Sequence, residues 1–321
     1  MKIALVCSHG GHLTELLYIM QTFEDHEVFF ATYDSERTRA MNHRKYLFPN
    51  FGEKPLKMLK NLPRILNIMS KEKPDVIISN GAEIAIPFFF LGKLFRAKTI
   101  FIECYTRISE PTITGKLVYP LADLFLVLWP DLLKKYGKKA QYWGGLFEII
   151  EKQELSSFHR GEFIFVTVGM HYAGFERLIR KMDEVAGKVN EKVVMQIGNT
   201  QYEPINAEYF KFKDSDNEIR EYMRKARLVV CPGAMTILDS LIEGTPVIAV
   251  PRLRDYGEHL NNHQLIFAKK LEDLGLIKVV RDIENLENFI LNIDYSNSKS
   301  IAINQLFTRK IREFIQSRSQ E

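Results

Sequence analysis

Two glycine-bearing stretches hold the residues of this chain best suited to chemistry. The first runs Cys7-Ser8-His9-Gly10-Gly11-His12-Leu13-Thr14-Glu15. Paired glycines let a backbone turn sharply and approach a ligand closely. An imidazole at the mouth of such a turn titrates near neutrality and suits a general base. His12 is the candidate base; His9, Gly10 and Gly11 line the turn beside it, where either histidine can instead cap the following helix. The glycine spacing is not that of a dinucleotide fold, and Ala31-Thr32, rather than an acid, closes the second strand. Dinucleotide binding is therefore disfavoured. No further ligand cluster joins Cys7, His9 and His12, so no metal is expected.

The second stretch is Cys231-Pro232-Gly233-Ala234-Met235-Thr236-Ile237-Leu238-Asp239, followed by Glu243-Gly244-Thr245-Pro246. Here a buried strand enters a turn at Gly233 and Ala234, and a helix opens at Met235. Helix N-termini carry unpaired N–H groups and partial positive charge, which seat a phosphate. Thr236 and Asp239 lie along that helix, where they can meet ribose and sugar hydroxyls. Two more strands end in glycine, at Gly169 (with Met170) and at Gly198. Three such strand ends in one half of the chain point to a nucleotide pocket. The later Asn262-His263-Gln264 opens a helix and can bind sugar hydroxyls or simply cap it. Asp214-Ser215-Asp216 reads as a helix cap rather than a metal motif.

Short apolar runs alternating with helical segments must position these turns. In the first half they are Lys2–Val6, Glu27–Ala31, Asp75–Ser79, Lys98–Ile102 and Leu124–Leu128, with a helix from about His12 to Thr22. In the second half they are Phe163–Val168, Lys192–Ile197, Leu228–Val230, Val247–Val250 and Ile277–Val280, with a last helix over Ser298 to Gln316. The pattern predicts parallel sheets with crossover helices. The polar stretch from Glu148 to Gly161 reads as a linker. The expected layout is a first domain over 1–147 and a second over 161–321, its last helix able to pack back on the first. Ligands bind beyond the carboxyl ends of strands in open parallel sheets, so two such domains are expected to face each other across a cleft. Glu103 ends a strand there and is the second candidate base.

The 321 residues suffice for two domains, and 46% of them are apolar. Three cysteines form no disulfide framework. No apolar run is long enough to span a bilayer, and the start reads as a strand rather than a signal peptide. The net charge of +4 is carried by the first 150 residues, at about +5 by residue count. Nothing in it resembles a nucleic-acid patch. Residues 54–73 form a basic amphipathic stretch, with Leu59, Leu62, Ile65, Leu66 and Met69 at helical spacing and Lys57, Lys60 and Arg64 towards other faces. Such a helix rests on an anionic membrane surface or packs its stripe into a core.

Taken together these motifs resemble a known family. The chain resembles a fused two-subunit glycosyltransferase of the MurG-like superfamily. Its first half is similar to the membrane-associated subunit of the eukaryotic dolichol-diphosphate-GlcNAc N-acetylglucosaminyltransferase. It is similar also to the first subunit of bacterial exopolysaccharide β-1,4-glucuronosyltransferases. The shared stretches are Cys7 to Glu15, Ser79-Asn80-Gly81-Ala82, Ile102-Glu103 with Arg107, Thr114 to Asp123, and Tyr142-Trp143-Gly144-Gly145. The second half is similar to the catalytic partner subunit through Phe165 to Gly169 and Phe175 to Ile179, and to MurG through Cys231 to Pro251 and Asn262-His263-Gln264.

The resemblance implies an α/β GT-B fold of two Rossmann-like domains. It implies a UDP-sugar held by the second and a polyprenyl- or dolichyl-diphosphate-linked acceptor held by the first, at the cytoplasmic face of a membrane. Transfer would be inverting and metal-free, with no cofactor. Asn80, Gly81, Arg107 and Thr114 would join the acceptor site. Cys231 stands where the family usually has His, and Asp239 where it has Glu. The bacterial pairs favour glucuronate as the sugar, its carboxylate paired with Arg252 or Arg254. N-acetylglucosamine is the alternative; a UDP-sugar epimerase and a non-catalytic nucleotide-sugar binder are the others.

Overall fold

A computed structural model describes residues 1–52, 54–151, 161, 163–169, 173–213, 215–259, 262–293 and 299–317. The chain divides into two units, Met1–Phe147 with Ile303–Glu321, and Glu148–Ala302. The second unit thus opens at Glu148, the first residue of the stretch expected to be a linker, of which residues 152–160 lie outside the described residues, and the last helix belongs to the first unit.

In the first unit the strands are β1 (Lys2–Val6), β2 (Glu27–Tyr33), β3 (Lys45–Phe48), β4 (Val76–Ser79), β5 (Lys98–Ile102), β6 (Leu124–Leu126) and β7 (Ala140–Gln141). Between them run α1 (Gly11–Tyr18), α2 (Glu36–Ala40), α3 (Pro55–Glu72), α4 (Ala85–Leu94), α5 (Ile113–Val118) and α6 (Leu133–Tyr136). The sheet order is β3-β2-β1-β4-β5-β6-β7, every pairing parallel. The central strands β4, β5 and β6 are buried along their whole length, as are Ile3–Val6 of β1, which is what continuous apolar runs such as Ile3–Val6 and Val76–Ile78 require. The order reverses between β1 and β4, so their outgoing turns part and leave a crevice at the carboxyl ends.

The second unit repeats the plan. β9 (Phe163–Thr167), β10 (Lys192–Gln196), β11 (Glu208–Phe210), β12 (Leu228–Cys231), β13 (Val247–Ala249) and β14 (Lys278–Val279) form a parallel sheet in the order β11-β10-β9-β12-β13-β14. Its helices are α7 (Glu176–Ala186), α8 (Asp216–Lys225), α9 (Met235–Ile242), α10 (His263–Asp273) and α11 (Leu286–Leu291). The reversal falls between β9 and β12, the strands that lead into the turns at Gly169 and Gly233. Two further strands, β8 (Phe147–Ile150) and β15 (Ser300–Ile303), pair where the chain passes between units. β15 lies inside the span expected to be helical. The helix α12 (Gln305–Gln316) starts only after Asn304, whose side chain accepts from the amides of Leu306 and Phe307. Ser215 caps α8 through the amide of Glu218, as its spacing predicted; Asp214 lies outside the described residues.

The amphipathic helix α3 is real, but its apolar residues divide between two faces. Ile65, Ile68 and Met69 enter the core, whereas Leu56, Leu59 and Leu66 are exposed. Pro55 opens it at a position with no N–H to lose. Its carboxyl end is pinned by Glu72, whose side chain is fully buried and accepts from Lys2 (3.2 Å), Arg44 and Tyr46. Burial alone would raise this carboxyl, but the bonds from Tyr46 and Lys2 and the charge of Arg44 outweigh it and hold it below its usual value. A depressed carboxylate stabilises the fold above its unfolded pKa of about 4.3, and that contribution is lost as pH falls through the lower folded value. Glu72→Ala is expected to cost about 2 kcal/mol at pH 7, read as the loss in a urea melt. The deficit should shrink as both proteins are titrated below pH 4. A deficit that stayed constant into acid would contradict this pinning.

Candidate functional site

Both sheet reversals gather the residues singled out by the sequence. In the first unit the turn Cys7–Gly11 leaves β1 and the turn Asn80–Ala82 leaves β4. Asn80 joins them: its Nδ2 donates to the His12 carbonyl (2.8 Å) and to Glu15 Oε2 (3.0 Å). Gly81, at φ +139°, lies against the His12 ring, and a Cβ there would stand 2.7 Å from Nε2. The other ring nitrogen, Nδ1, is 2.9 Å from Ser8 Oγ. Burial lowers the His12 pKa; Glu15 and Glu103 draw it partly back and Arg107 lowers it further. The ring is therefore neutral, and able to accept a proton, to lower pH than an ordinary histidine. Arg37 braces the turn by donating to the carbonyls of His9 (3.3 Å) and Gly10 (3.1 Å). His9 is likewise lowered by burial and by Arg37.

Glu103 is fully buried at the end of β5 and is saturated with donors. It accepts from the Cys104 amide (2.9 Å), the Thr112 amide (3.2 Å), Thr112 Oγ1 (3.0 Å) and the Tyr136 hydroxyl. That pattern fastens the loop ahead of α5 and leaves no lone pair for a substrate proton. Arg107 is half-buried on the same loop, close enough to bias His12. Its side chain makes no hydrogen bond or ion pair among the described residues. Thr114 lies in the first turn of α5, half-buried.

Glu15 was not singled out by sequence, yet it underlies the whole turn. It is 3% exposed and accepts from Asn80, from Cys104 Sγ (3.3 Å) and from the Tyr105 amide (3.2 Å), joining the ends of β1, β4 and β5. Burial raises its pKa well above the usual carboxylate value. The available signal was an acid placed between Leu13 and Leu16 on a core-facing helix.

In the second unit α9 begins without a side-chain cap, at Ala234 with φ +56° and ψ −129°. That conformation is costly for a residue bearing a Cβ and clusters at functional sites. The uncapped start of α9 lies beside Gly169, whose Cβ position is 4.0 Å from Thr236 Oγ1. Gly198 packs on this turn so closely that a Cβ would meet the Gly169 carbonyl at 2.7 Å. Gln264 lies alongside Gly233 and accepts from the Arg252 amide (3.2 Å). Asn262 accepts from the Arg254 amide (2.9 Å), and His263 opens α10 with its ring 4.8 Å from that of His259. Met170 lies outside the described residues.

Two expected roles change, those of Cys231 and Arg252, and Asp239 has an ionic partner of its own. Cys231 is fully buried at the end of β12, and burial pushes its thiol up to about 12, so it meets a ligand neither as an exposed group nor as a thiolate. Asp239 shares its carboxylate with Arg220 at 2.7 Å. Arg252 does not face outward to a sugar carboxylate. It is 2% exposed and donates to the carbonyls of Val168 (2.8 Å) and Gly174 (3.2 Å), and burial lowers its pKa to about 10. Arg254 is exposed.

The packing of Gly81 on His12 has a direct test. In Gly81→Ala the added methyl must push the ring outward, and rehydration should raise the His12 pKa towards about 6.5. An imidazole NMR titration reads the change; an unaltered pKa would contradict the contact.

Residues 163–316 match the glycosyltransferase family 28 C-terminal domain, and residues 51–146 match the family described as oligosaccharide biosynthesis protein Alg14 like. The UDP-N-acetylglucosamine transferase subunit alg14 of Schizosaccharomyces pombe is 38% identical over 76 residues, 22% of this chain and 36% of that subunit. The chain thus spans about a third of that relative. The UDP-N-acetylglucosamine–N-acetylmuramyl-(pentapeptide) pyrophosphoryl-undecaprenol N-acetylglucosamine transferase of Clostridium tetani is 25% identical over 286 residues, covering 80% of this chain and 78% of that one. Among solved structures, Acinetobacter baumannii MurG superposes with a TM-score of 0.64 at 16% identity, covering 98% of this chain and 99% of that one. The UDP-GlcNAc 2-epimerase of Methanocaldococcus jannaschii gives 0.66 at 14% identity with the same coverage. A fold shared by transferase and epimerase does not choose between them. The chain joins an Alg14-like segment to a segment that matches the glycosyltransferase family 28 C-terminal domain, on the GT-B fold.

Proposed function

We propose that this protein transfers N-acetylglucosamine from UDP-N-acetylglucosamine to a sugar carried on a polyprenyl or dolichyl diphosphate, with inversion at C1. The observation that carries the reading is the uncapped start of α9 at the sheet reversal of the unit that matches family 28. Charge builds on the β-phosphate as UDP departs, and the amides following Gly233 meet it without a metal ion. Thr236, Asp239, Asn262, His263 and Gln264 hold ribose and sugar hydroxyls. The names of the relatives support N-acetylglucosamine as the donor sugar, and the inward turn of Arg252 removes one of the two cations expected for glucuronate.

The acceptor belongs to the first unit. Its hydroxyl oxygen forms the new bond to C1 as the bond from C1 to the β-phosphate oxygen breaks, and His12 takes the proton. With Nδ1–H donated to Ser8, Nε2 is the free base. His9, Gly10, Gly11, Asn80, Gly81, Arg107 and Thr114 form its surroundings, with Arg107 the cation for the acceptor diphosphate. Glu103 serves as a positioning residue.

The lipid would be reached from a membrane surface. No helix among the described residues is long and apolar enough to cross a bilayer. However, α4 packs between α3 and α5, and the three helices expose Leu56, Leu59, Phe90, Leu94, Ile113 and Leu117 among Lys57, Lys60, Lys93 and Lys116. Apolar side chains ringed by lysines suit peripheral attachment to an anionic leaflet.

One assay tests the whole reading. Purified protein is given UDP-N-acetylglucosamine, UDP-glucuronate and other UDP-sugars, with a prenyl-diphosphate-linked N-acetylglucosamine in anionic vesicles or as a short-chain soluble analogue. Transfer is expected from UDP-N-acetylglucosamine, with an acidic limb in kcat below pH 6.5, because the lowered His12 becomes protonated only there. His12→Ala should lose about 100-fold or more in kcat. Leu56→Glu with Leu59→Glu should lose turnover on vesicles and keep it on the soluble acceptor. Transfer of glucuronate alone would overturn the donor, a free UDP-sugar isomer would indicate an epimerase, and undiminished His12→Ala turnover would reject the base.

A further inference from the structure

The second unit contains a set of contacts that the transfer chemistry does not use. Two arginines cross between the segment after β9 and the segment after β13, each reaching from one into the other. Arg252 comes from the second segment and reaches the carbonyls of Val168 and Gly174 in the first, its guanidinium 4.8 Å from the Phe175 ring centre. Arg177 stands in the first turn of α7, directly after Gly174 and Phe175, and reaches back the other way. It grips Glu258 with two bonds, Nε to Oε1 at 2.7 Å and Nη2 to Oε2 at 2.9 Å, and donates also to the Pro251 carbonyl at 3.0 Å. Its guanidinium lies 5.2 Å from the Phe175 ring centre and 5.1 Å from that of Tyr256. Both partners are largely withdrawn from water, at 18% and 13% side-chain exposure. Glu258 then closes its own segment by accepting from the Leu253 amide at 3.0 Å.

The consequence reaches the donor site through the backbone. The Arg252 amide holds Gln264 beside Gly233, and the Arg254 amide holds Asn262. Pro251–Glu258 contains only one short 3-10 turn, Arg254–Tyr256. Its order depends on these ties rather than on regular structure. A segment ordered before the ligand arrives spares binding that entropic cost. We infer that Arg177 and Glu258 form a latch, crossed by Arg252, that pre-orders the donor-binding segment and so sets affinity for the nucleotide. They are positioning residues with no contact to the reacting atoms. The inference rests on the donor assignment of this unit.

The test is a double-mutant cycle in the full chain, with UDP as the calorimetric probe and thermal melting to verify folding. Arg177→Ala and Glu258→Gln should each raise the UDP Kd about 10-fold, and the double variant should be little worse than either single one, because they break one interaction. Arg177→Lys should recover only part of the affinity, since an ammonium cannot grip a carboxylate with a planar fork. At saturating donor, kcat and the acceptor KM should stay within about twofold of wild type, separating ordering of the segment from chemistry. Arg224→Ala, in an exposed pair with Glu221 on α8, is the control expected to leave Kd unchanged. Unchanged UDP affinity in folded Arg177→Ala and Glu258→Gln, fully additive losses, or a fall in kcat at unchanged Kd would overturn the latch alone. A wild-type protein that binds no UDP would remove the donor reading beneath it.

Discussion

The constraint on which everything else depends is the reversal of strand order in each parallel sheet. β1 and β4 are hydrogen-bonded neighbours, but the connections leaving them travel in opposite directions, and the same holds for β9 and β12. At such a place the backbone ends are exposed to a ligand and no crossover covers them. Each reversal carries glycine turns there: Gly10, Gly11 and Gly81 in the first unit, Gly169 and Gly233 in the second. The proposed ligand positions follow from this rule for open parallel sheets, and the side chains at the two places differ in chemistry. The first site has a neutral imidazole over a buried carboxyl, suited to removing a proton. The second has unsatisfied helix amides, suited to receiving negative charge.

How these sites are held explains which residues act and which only support. Glu103 and Arg252 both looked available in the sequence, a carboxylate at a strand end and a cation after a proline. In the folded chain each is spent on neighbours, Glu103 on four donors and Arg252 on two carbonyls. A buried charged group must be satisfied internally, because leaving it unpaired costs several kcal/mol. Among the described residues the groups without such partners are His12 Nε2, the Arg107 side chain and the uncapped start of α9, and these are the groups the proposed reaction uses.

Much of this was legible beforehand, for identifiable reasons. Long apolar runs such as Ile3–Val6 and Leu228–Val230 can only be buried strands, and the glycines after them marked the turns. β3, β7 and β11 escaped notice because each is a short edge or near-edge strand with polar residues, such as Lys45 and Glu208, mixed into it. The helix expected from Ser298 swallowed β15 because Ser-Ile-Ala-Ile suits either period; only the cap at Asn304 marks the change. The partners of Glu15 and of the Arg177–Glu258 pair were not legible for a different reason. These lie 65 to 90 and 81 residues away, respectively, and no local pattern encodes such a meeting.

The central claim is that nucleotide diphosphate binds at the reversal of the second sheet and at no other reversal. Amide hydrogen exchange of the full chain, with and without UDP, tests it most directly. Protection is expected in the turns around Gly169 and Gly233, along the first turn of α9 and at the start of α10, with Ser8–Glu15 and Asn80–Ala82 unchanged. Protection confined to the turns beside His12 and Gly81 would contradict the account.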